Sequence, residues 1–211
     1  MTHTVRLIND NALDGMEQID TLVDCVLTVF NRDYFYDDTL EETLTNVACK
    51  MHHLLTGDGV VYIKVKVPDI PLISYVFTKC DFTLKNIITI PLLGGKVPCH
   101  PSKYTDDNIE YFLFFHKSDK CYRYLNPVEH DSNGCNCQFS ANWSWFTGSM
   151  SDVYRTILKI STRHSEVVLD PFMDAGDIGE AAILQDRNFI GIEISRARFD
   201  DTKRRLEELG E

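Results

Sequence analysis

The sequence predicts an α/β fold, and three observations predict it. Glu166 to Glu193, EVVLDPFMDAGDIGEAAILQDRNFIGIE, reads as strand, glycine loop, helix and strand. Upstream of it, short apolar runs alternate with segments of helical spacing from Thr4 onward. At 211 residues with 44% hydrophobic content, the chain is long enough to bury one full core, so we expect a single domain over 1–211.

The first observation also carries chemistry. The run Val167, Val168, Leu169 ends in Asp170-Pro171-Phe172, and the loop that follows holds Gly176 and Gly179. In open α/β sheets such a loop lies at the carboxyl ends of the strands, where ligands bind. An acid ending the next strand, here Glu193, accepts hydrogen bonds from ribose hydroxyls. The unit therefore points to a nucleoside-bearing cofactor.

Elements before this unit follow from spacing. Thr4 to Asn9 is a short strand, Ala12 to Ile19 a short helix, and Val23 to Phe30 the next strand. Asp37 and Asp38 open a helix whose apolar residues Leu40, Leu44, Val47, Met51 and Leu54 form one stripe, with Gly57 ending it. His52 and His53 fall in its last turn, where the helix dipole favours them; a metal role is the minority reading. Gly59 to Val67 is a strand, Ile70 to Cys80 a helix, and Phe82 to Ile90 a strand. Residues 91–109, with Gly94, Gly95, Pro98 and Pro101, read as a loop. Glu110 to His116 is a strand, and Cys121 to Leu125 a segment that pairs with it.

Ser149 to Thr162 is a helix with Ser149 as cap and Asp152 at the third helical position, close to a capping box, and Val153, Ile157 and Ile160 as its apolar face. The last helix, Ser195 to Leu209, puts Phe199, Thr202, Leu206 and Leu209 on one face. Arg196, Arg198, Lys203, Arg204 and Arg205 fall mostly outside it, as a solvated face.

DPFMDAGDIGEAA followed by RNFIGIEI resembles the DPFxGSGTTGxAA and RxFIGIEI signatures of DNA amino-methyltransferases, which move a methyl group from S-adenosylmethionine to adenine N6 or cytosine N4. The opening resembles that family's LxxGDxLExMxxL and VDLIxTDPPY segments, and Gly59 to Ile90 its following strand, helix and strand. Motif order matches the β-type arrangement, with the catalytic loop early and the cofactor loop late. The resemblance implies a three-layer Rossmann-like methyltransferase fold with a mixed, mainly parallel sheet. It divides the chain into a catalytic half (1–90), a substrate or loop region (91–148) and a cofactor-loop half (149–211). It further implies S-adenosylmethionine as cofactor, with Asp170, Phe172, Gly176 and Glu193 as binding residues.

Three motifs depart from the family. Gly-Ser-Gly-Thr-Thr-Gly is replaced by Asp174, Ala175, Gly176, Asp177, Ile178 and Gly179, which removes one glycine and adds two carboxylates. A loop carboxylate about 5 Å from the ligand's own would repel it by roughly 3 kcal/mol at an effective dielectric near 20. We therefore expect affinity for S-adenosylmethionine weaker than about 100 µM. The DPPY loop, whose first residue accepts from the target amine and whose aromatic stacks on the flipped base, has no Pro-Pro here. Its nearest counterparts are Asn31 and Tyr34 of Asn31-Arg32-Asp33-Tyr34, two residues later than the family spacing from Val23-Asp24. The alternative is that Asn31 to Tyr34 is only a turn after the strand. The third departure is TGSMSDVYRTIL, which keeps a helix but not the family's His-Pro and Lys-Pro residues.

Charge and cysteines narrow the classes. A net charge of −11 weighs against unaided binding to phosphates. Basic residues Lys96, Lys103, Lys117, Lys120 and Arg123 are offset by Asp106, Asp107, Glu110 and Asp119. The seven scattered cysteines read as free thiols of a reducing compartment. With no signal peptide and no membrane-length apolar run, an intracellular protein, cytoplasmic or nuclear, is expected. His130, Cys135 and Cys137 form an incomplete zinc set, so no metal is expected. The Trp143 to Phe146 cluster is buried or, if exposed, a partner or base-stacking surface.

Two functions stand. One is a degenerate, inactive methyltransferase-like interaction or regulatory subunit, whose protein partner is an active methyltransferase or a basic nucleic-acid-processing protein. The other is an active adenine-N6 or cytosine-N4 methyltransferase.

Overall fold

A computed structural model describes residues 3–35, 39–91, 109–118 and 149–209. Seven strands and six helices are described, in the order β1 (Val5–Ile8), α1 (Ala12–Glu17), β2 (Val23–Val29), α2 (Leu40–Leu54), β3 (Leu55–Val65), α3 (Ile70–Lys79), β4 (Thr83–Pro91), β5 (Ile109–His116), α4 (Met150–Ser161), β6 (Val167–Asp170), α5 (Asp177–Ile183), β7 (Asn188–Ile192) and α6 (Arg196–Leu209). The segment Cys121 to Leu125, the 130–137 cluster and Trp143 to Phe146 lie outside the described residues.

All seven strands join one sheet in the order β1-β7-β6-β2-β3-β5-β4. From β1 across the sheet to β3 the neighbours pair in parallel, and β5 runs antiparallel to both β3 and β4. The mixed, mainly parallel sheet implied by the resemblance is therefore present. Helices cover both faces, completing three layers. On one, α1, α2 and α3 bury Met16, Leu44, Met51, Ile73 and Phe77 against Val26, Val61 and Phe115. On the other, α4, α5 and α6 bury Ile157, Leu158, Ala182 and Leu206 against Leu27, Phe112 and Phe189.

Local chemistry explains the elements. The five-residue stripe of α2 is buried as its spacing requires. Ser149 caps α4 in a reciprocal capping box with Asp152, whose carboxyl those hydrogen bonds hold below the usual range. Gly57 does not end α2, however. Leu55 turns extended at φ −71°, ψ 144°, and β3 starts at once.

The free-thiol expectation fails for one pair. α2 packs on α3, which brings the Cα atoms of Cys49 and Cys80 to 5.2 Å, and the two are joined as a disulfide. Cys25 lies buried in β2, outside that disulfide. At the carboxyl end of α6, Leu209 is 37% exposed, whereas Phe199, Thr202 and Leu206 are buried as expected. Among the described residues no helix is long and apolar enough to cross a membrane.

Candidate functional site

β6 and β2 are neighbours whose next strands leave in opposite directions, to β7 and to β3. This is the topological switch point, and the crevice beyond it is where α/β sheets place ligands. Asp170 ends β6 there, 2% exposed, accepting a hydrogen bond from Thr28 Oγ1 at 2.6 Å and one from the Phe172 amide at 3.1 Å. Burial pushes its carboxyl up to about 7, against the lowering effect of these two donors.

Between β6 and α5 the chain turns tightly. Gly176 caps α5 at φ 81°, and a Cβ there would meet Thr202 Cγ2 at 2.5 Å, so glycine is required twice over. Asp174, where the family has glycine, also sits in the left-handed region at φ 45°. Asp tolerates that region better than most residues, at a cost of about 1 kcal/mol.

Glu193, 3% exposed at the end of β7, gathers the site. Its Oε2 accepts from the Asp174 amide at 3.0 Å, and its Oε1 from the Ser195 amide at 2.8 Å and Arg198 Nε at 3.2 Å. Arg198 also pairs with Asp174 Oδ1 at 3.4 Å and stacks its guanidinium 5.1 Å from the Tyr34 ring centre. Burial, followed by the Asp174 carboxylate, raises the Tyr34 hydroxyl pKa; that hydroxyl also hydrogen-bonds Asp174. One arginine thus ties the early loop to the late one.

Asp177, the second added carboxylate, is matched in the same way. Arg205 binds Asp177 Oδ1 at 2.7 Å and Glu180 Oε2 at 2.6 Å. The basic run of α6 is therefore not merely solvated, because Arg198 and Arg205 each hold one of the carboxylates added to the loop. Seven residues apart, they share a face of α6, and that spacing beside Asp174 and Asp177 is the signal the sequence offered.

Among the described residues, two clefts lie near the switch point. The first, about 170 Å³, is lined by Asp10, Asn11, Leu13, Tyr34, Phe35, Phe172, Glu193 and Ile194 among others. Phe35 packs edge-on to Phe172 at 5.5 Å in its wall. The second, about 590 Å³, lies over the carboxyl ends of β2 and β3, with Asn31, Arg32, Lys64, Lys66, Asp69 and Glu110 in its lining. Arg32 pairs there with Asp69 at 3.1 Å and stays half exposed.

The sequence-predicted residues are thus sorted. Phe172, Glu193 and Tyr34 line the first cleft, with Asp170 and Gly176 fixing the loop behind it. Asn31 lines the second. Tyr34 and Asn31 belong to one short 3-10 turn but address different clefts. Counting the family spacing back two residues from Asn31 gives Val29, the last residue of β2, whose side chain offers no hydrogen-bond acceptor.

The family model described as DNA methylase, covering N6 and N4 enzymes, matches residues 31–204. The chain belongs to this DNA methylase family. It is 28% identical over 169 residues to the type II methyltransferase M2.MboI of Moraxella bovis, covering 74% of this chain and 62% of that protein. With M.Cfr9I of Citrobacter freundii it shares 29% identity over 108 residues, 46% of this chain and 36% of the relative. The chain thus matches less than two thirds of the length of either relative.

Among solved structures it superposes on TTHA0409 of Thermus thermophilus, complexed with S-adenosyl-L-methionine, with a TM-score of 0.76 at 19% identity, covering 99% of this chain and 94% of that one. The M1.HpyAVI–SAM complex gives 0.73 at 23% identity, with 96% and 98% covered. PvuII DNA methyltransferase, specific for cytosine N4, gives 0.71 at 13% identity over 100% of this chain and 92% of its own. The methylase fold implied by the sequence is the fold of this chain.

Proposed function

We propose that this member of the DNA methylase family keeps the scaffold without performing methyl transfer, and acts as an interaction or regulatory subunit through a protein partner. The observation that supports it most is the acceptor loop. Thr28 is pinned to Asp170 and fixes the register of β2, so the family's acceptor position falls on Val29. Asn31 and Tyr34, the substitutes, line separate clefts. Catalysis of this kind needs acceptor and stacking ring held to within about 0.5 Å.

S-adenosylmethionine, bound by TTHA0409 and M1.HpyAVI, is matched only in part. The first cleft offers an apolar wall and Glu193 for a base and ribose. Behind its lining residues Tyr34 and Glu193 stand Asp174 and Arg198, which add charge on the loop side.

A net charge of −11 disfavours phosphate and favours a basic protein, recruited by electrostatic steering that salt weakens. Affinity capture from native cells at low and at high salt tests this. A stoichiometric partner that is lost as salt rises supports the proposal, and capture of nucleic acid alone contradicts it. The competing reading, an active amino-methyltransferase, draws support from Arg198 and Arg205, which neutralise part of the charge added to the cofactor loop.

A further inference from the structure

We infer that the first cleft takes a nucleoside whose 5′ substituent carries no carboxylate, and that Asp174 is the residue that excludes the amino-acid tail. This adds a ligand to the reading above and rests on it for the Asp174–Arg198–Tyr34 cluster.

The size of the cleft comes first. About 170 Å³ lies below the roughly 300–1,000 Å³ of pockets that enclose drug-sized ligands, so the cleft suits a base and sugar rather than a longer molecule. Its walls divide accordingly. Phe35, Phe172, Leu13 and Ile194 supply apolar faces for a base, and Asp10 stands at their edge as a hydrogen-bond acceptor. Glu193, at the end of β7, is placed for ribose hydroxyls.

Behind the lining residues Glu193 and Tyr34 lies a charged cluster: the Glu193 carboxylate accepts the Asp174 amide, and the Asp174 side chain meets Arg198, which stacks on Tyr34. A 5′ substituent leaving the ribose on this side runs into that cluster.

Charge then decides which substituents are tolerated. Arg198 is shared between Asp174 and Glu193, so one guanidinium faces two carboxylates there. A ligand carboxylate entering here competes with carboxylates already bound to that guanidinium. A neutral thioether or hydroxyl meets no such competition.

The test is calorimetric titration of the full chain with 5′-methylthioadenosine, adenosine and S-adenosylhomocysteine, repeated on Asp174→Gly/Asp177→Thr and on Glu193→Gln. We expect 5′-methylthioadenosine to bind at least about tenfold more tightly than S-adenosylhomocysteine, a gap of about 1.4 kcal/mol. The double variant should narrow that gap, and Glu193→Gln should weaken both nucleosides. If the variants fail to fold by circular dichroism, the ligand order on the unmodified chain still decides. Equal or tighter binding of S-adenosylhomocysteine, or no binding of any nucleoside, overturns the inference. The latter result leaves the proposed subunit role untouched, whereas methyl transfer from S-adenosylmethionine overturns both.

Discussion

Thr28 Oγ1 donates a 2.6 Å hydrogen bond to Asp170 Oδ1 across the β2–β6 boundary, and both residues are buried. This contact ties the strand that leads into the acceptor loop to the strand that leads into the cofactor loop. Removing the hydroxyl leaves a buried acceptor one donor short. Thr28→Val should cost about 1–3 kcal/mol in denaturant unfolding.

Asp170 also sets a pH dependence. Burial holds its folded pKa at about 7, well above the roughly 3.9 of an unfolded aspartate. Between those values the folded state binds more protons than the unfolded one, so this group's contribution to stability is greatest at low pH and falls as pH rises toward 7. The total is of order 4 kcal/mol at most. Unfolding midpoints measured from pH 4.5 to 8 for the natural chain and Asp170→Asn should show it: stability of the natural chain relative to the variant declines with pH. A relative stability that stays flat or rises contradicts the assignment.

Gly176 and Gly57 form a matched pair of substitutions. At Gly176 a Cβ meets Thr202 and the backbone is left-handed, so Gly176→Ala should destabilise by about 1–3 kcal/mol. Nothing lies within 4 Å of a Cβ at Gly57, and Gly57→Ala should change stability by less than about 0.5 kcal/mol. Thermal melts of both variants check the contrast.

Arg198 and Arg196 test whether the basic face of α6 is structural. Arg198 serves the buried Glu193, so Arg198→Ala should cost about 1–2 kcal/mol, tempered by the 44% exposure of its side chain. Arg196 pairs with exposed Asp200 four residues on and packs on Phe199, and Arg196→Ala should cost about 0.5 kcal/mol or less. In a double-mutant cycle Arg198→Ala and Asp174→Gly should be non-additive, because they share one contact.

How much of this was legible in the sequence follows from the range of the interactions. Period and glycine placement gave β6, α5 and β7, since those signals are local, and the Ser149–Asp152 capping box and the α2 stripe were readable for the same reason. The Cys49–Cys80 pairing was not, because it depends on how α2 lies against α3 across 31 residues. Nor were the partners of Arg198 and Arg205: a basic run looks solvated until the fold brings Asp174 and Asp177 beside it. Leu209 kept its helical phase yet reached past the last packing layer. At the site, spacing showed that the acceptor loop was displaced, but only the structure separates Asn31 from Tyr34 into two clefts.

Methyl transfer by the isolated protein decides whether this scaffold still works with Val29 at the family's acceptor position. Purified chain is incubated with tritiated S-adenosylmethionine and mixed double-stranded and single-stranded nucleic acids, beside Asn31→Ala and Tyr34→Ala. Incorporation should stay at the no-enzyme background for all three proteins. Robust incorporation by the natural chain, abolished by both substitutions, would contradict that expectation and establish Asn31 and Tyr34 as a working acceptor pair.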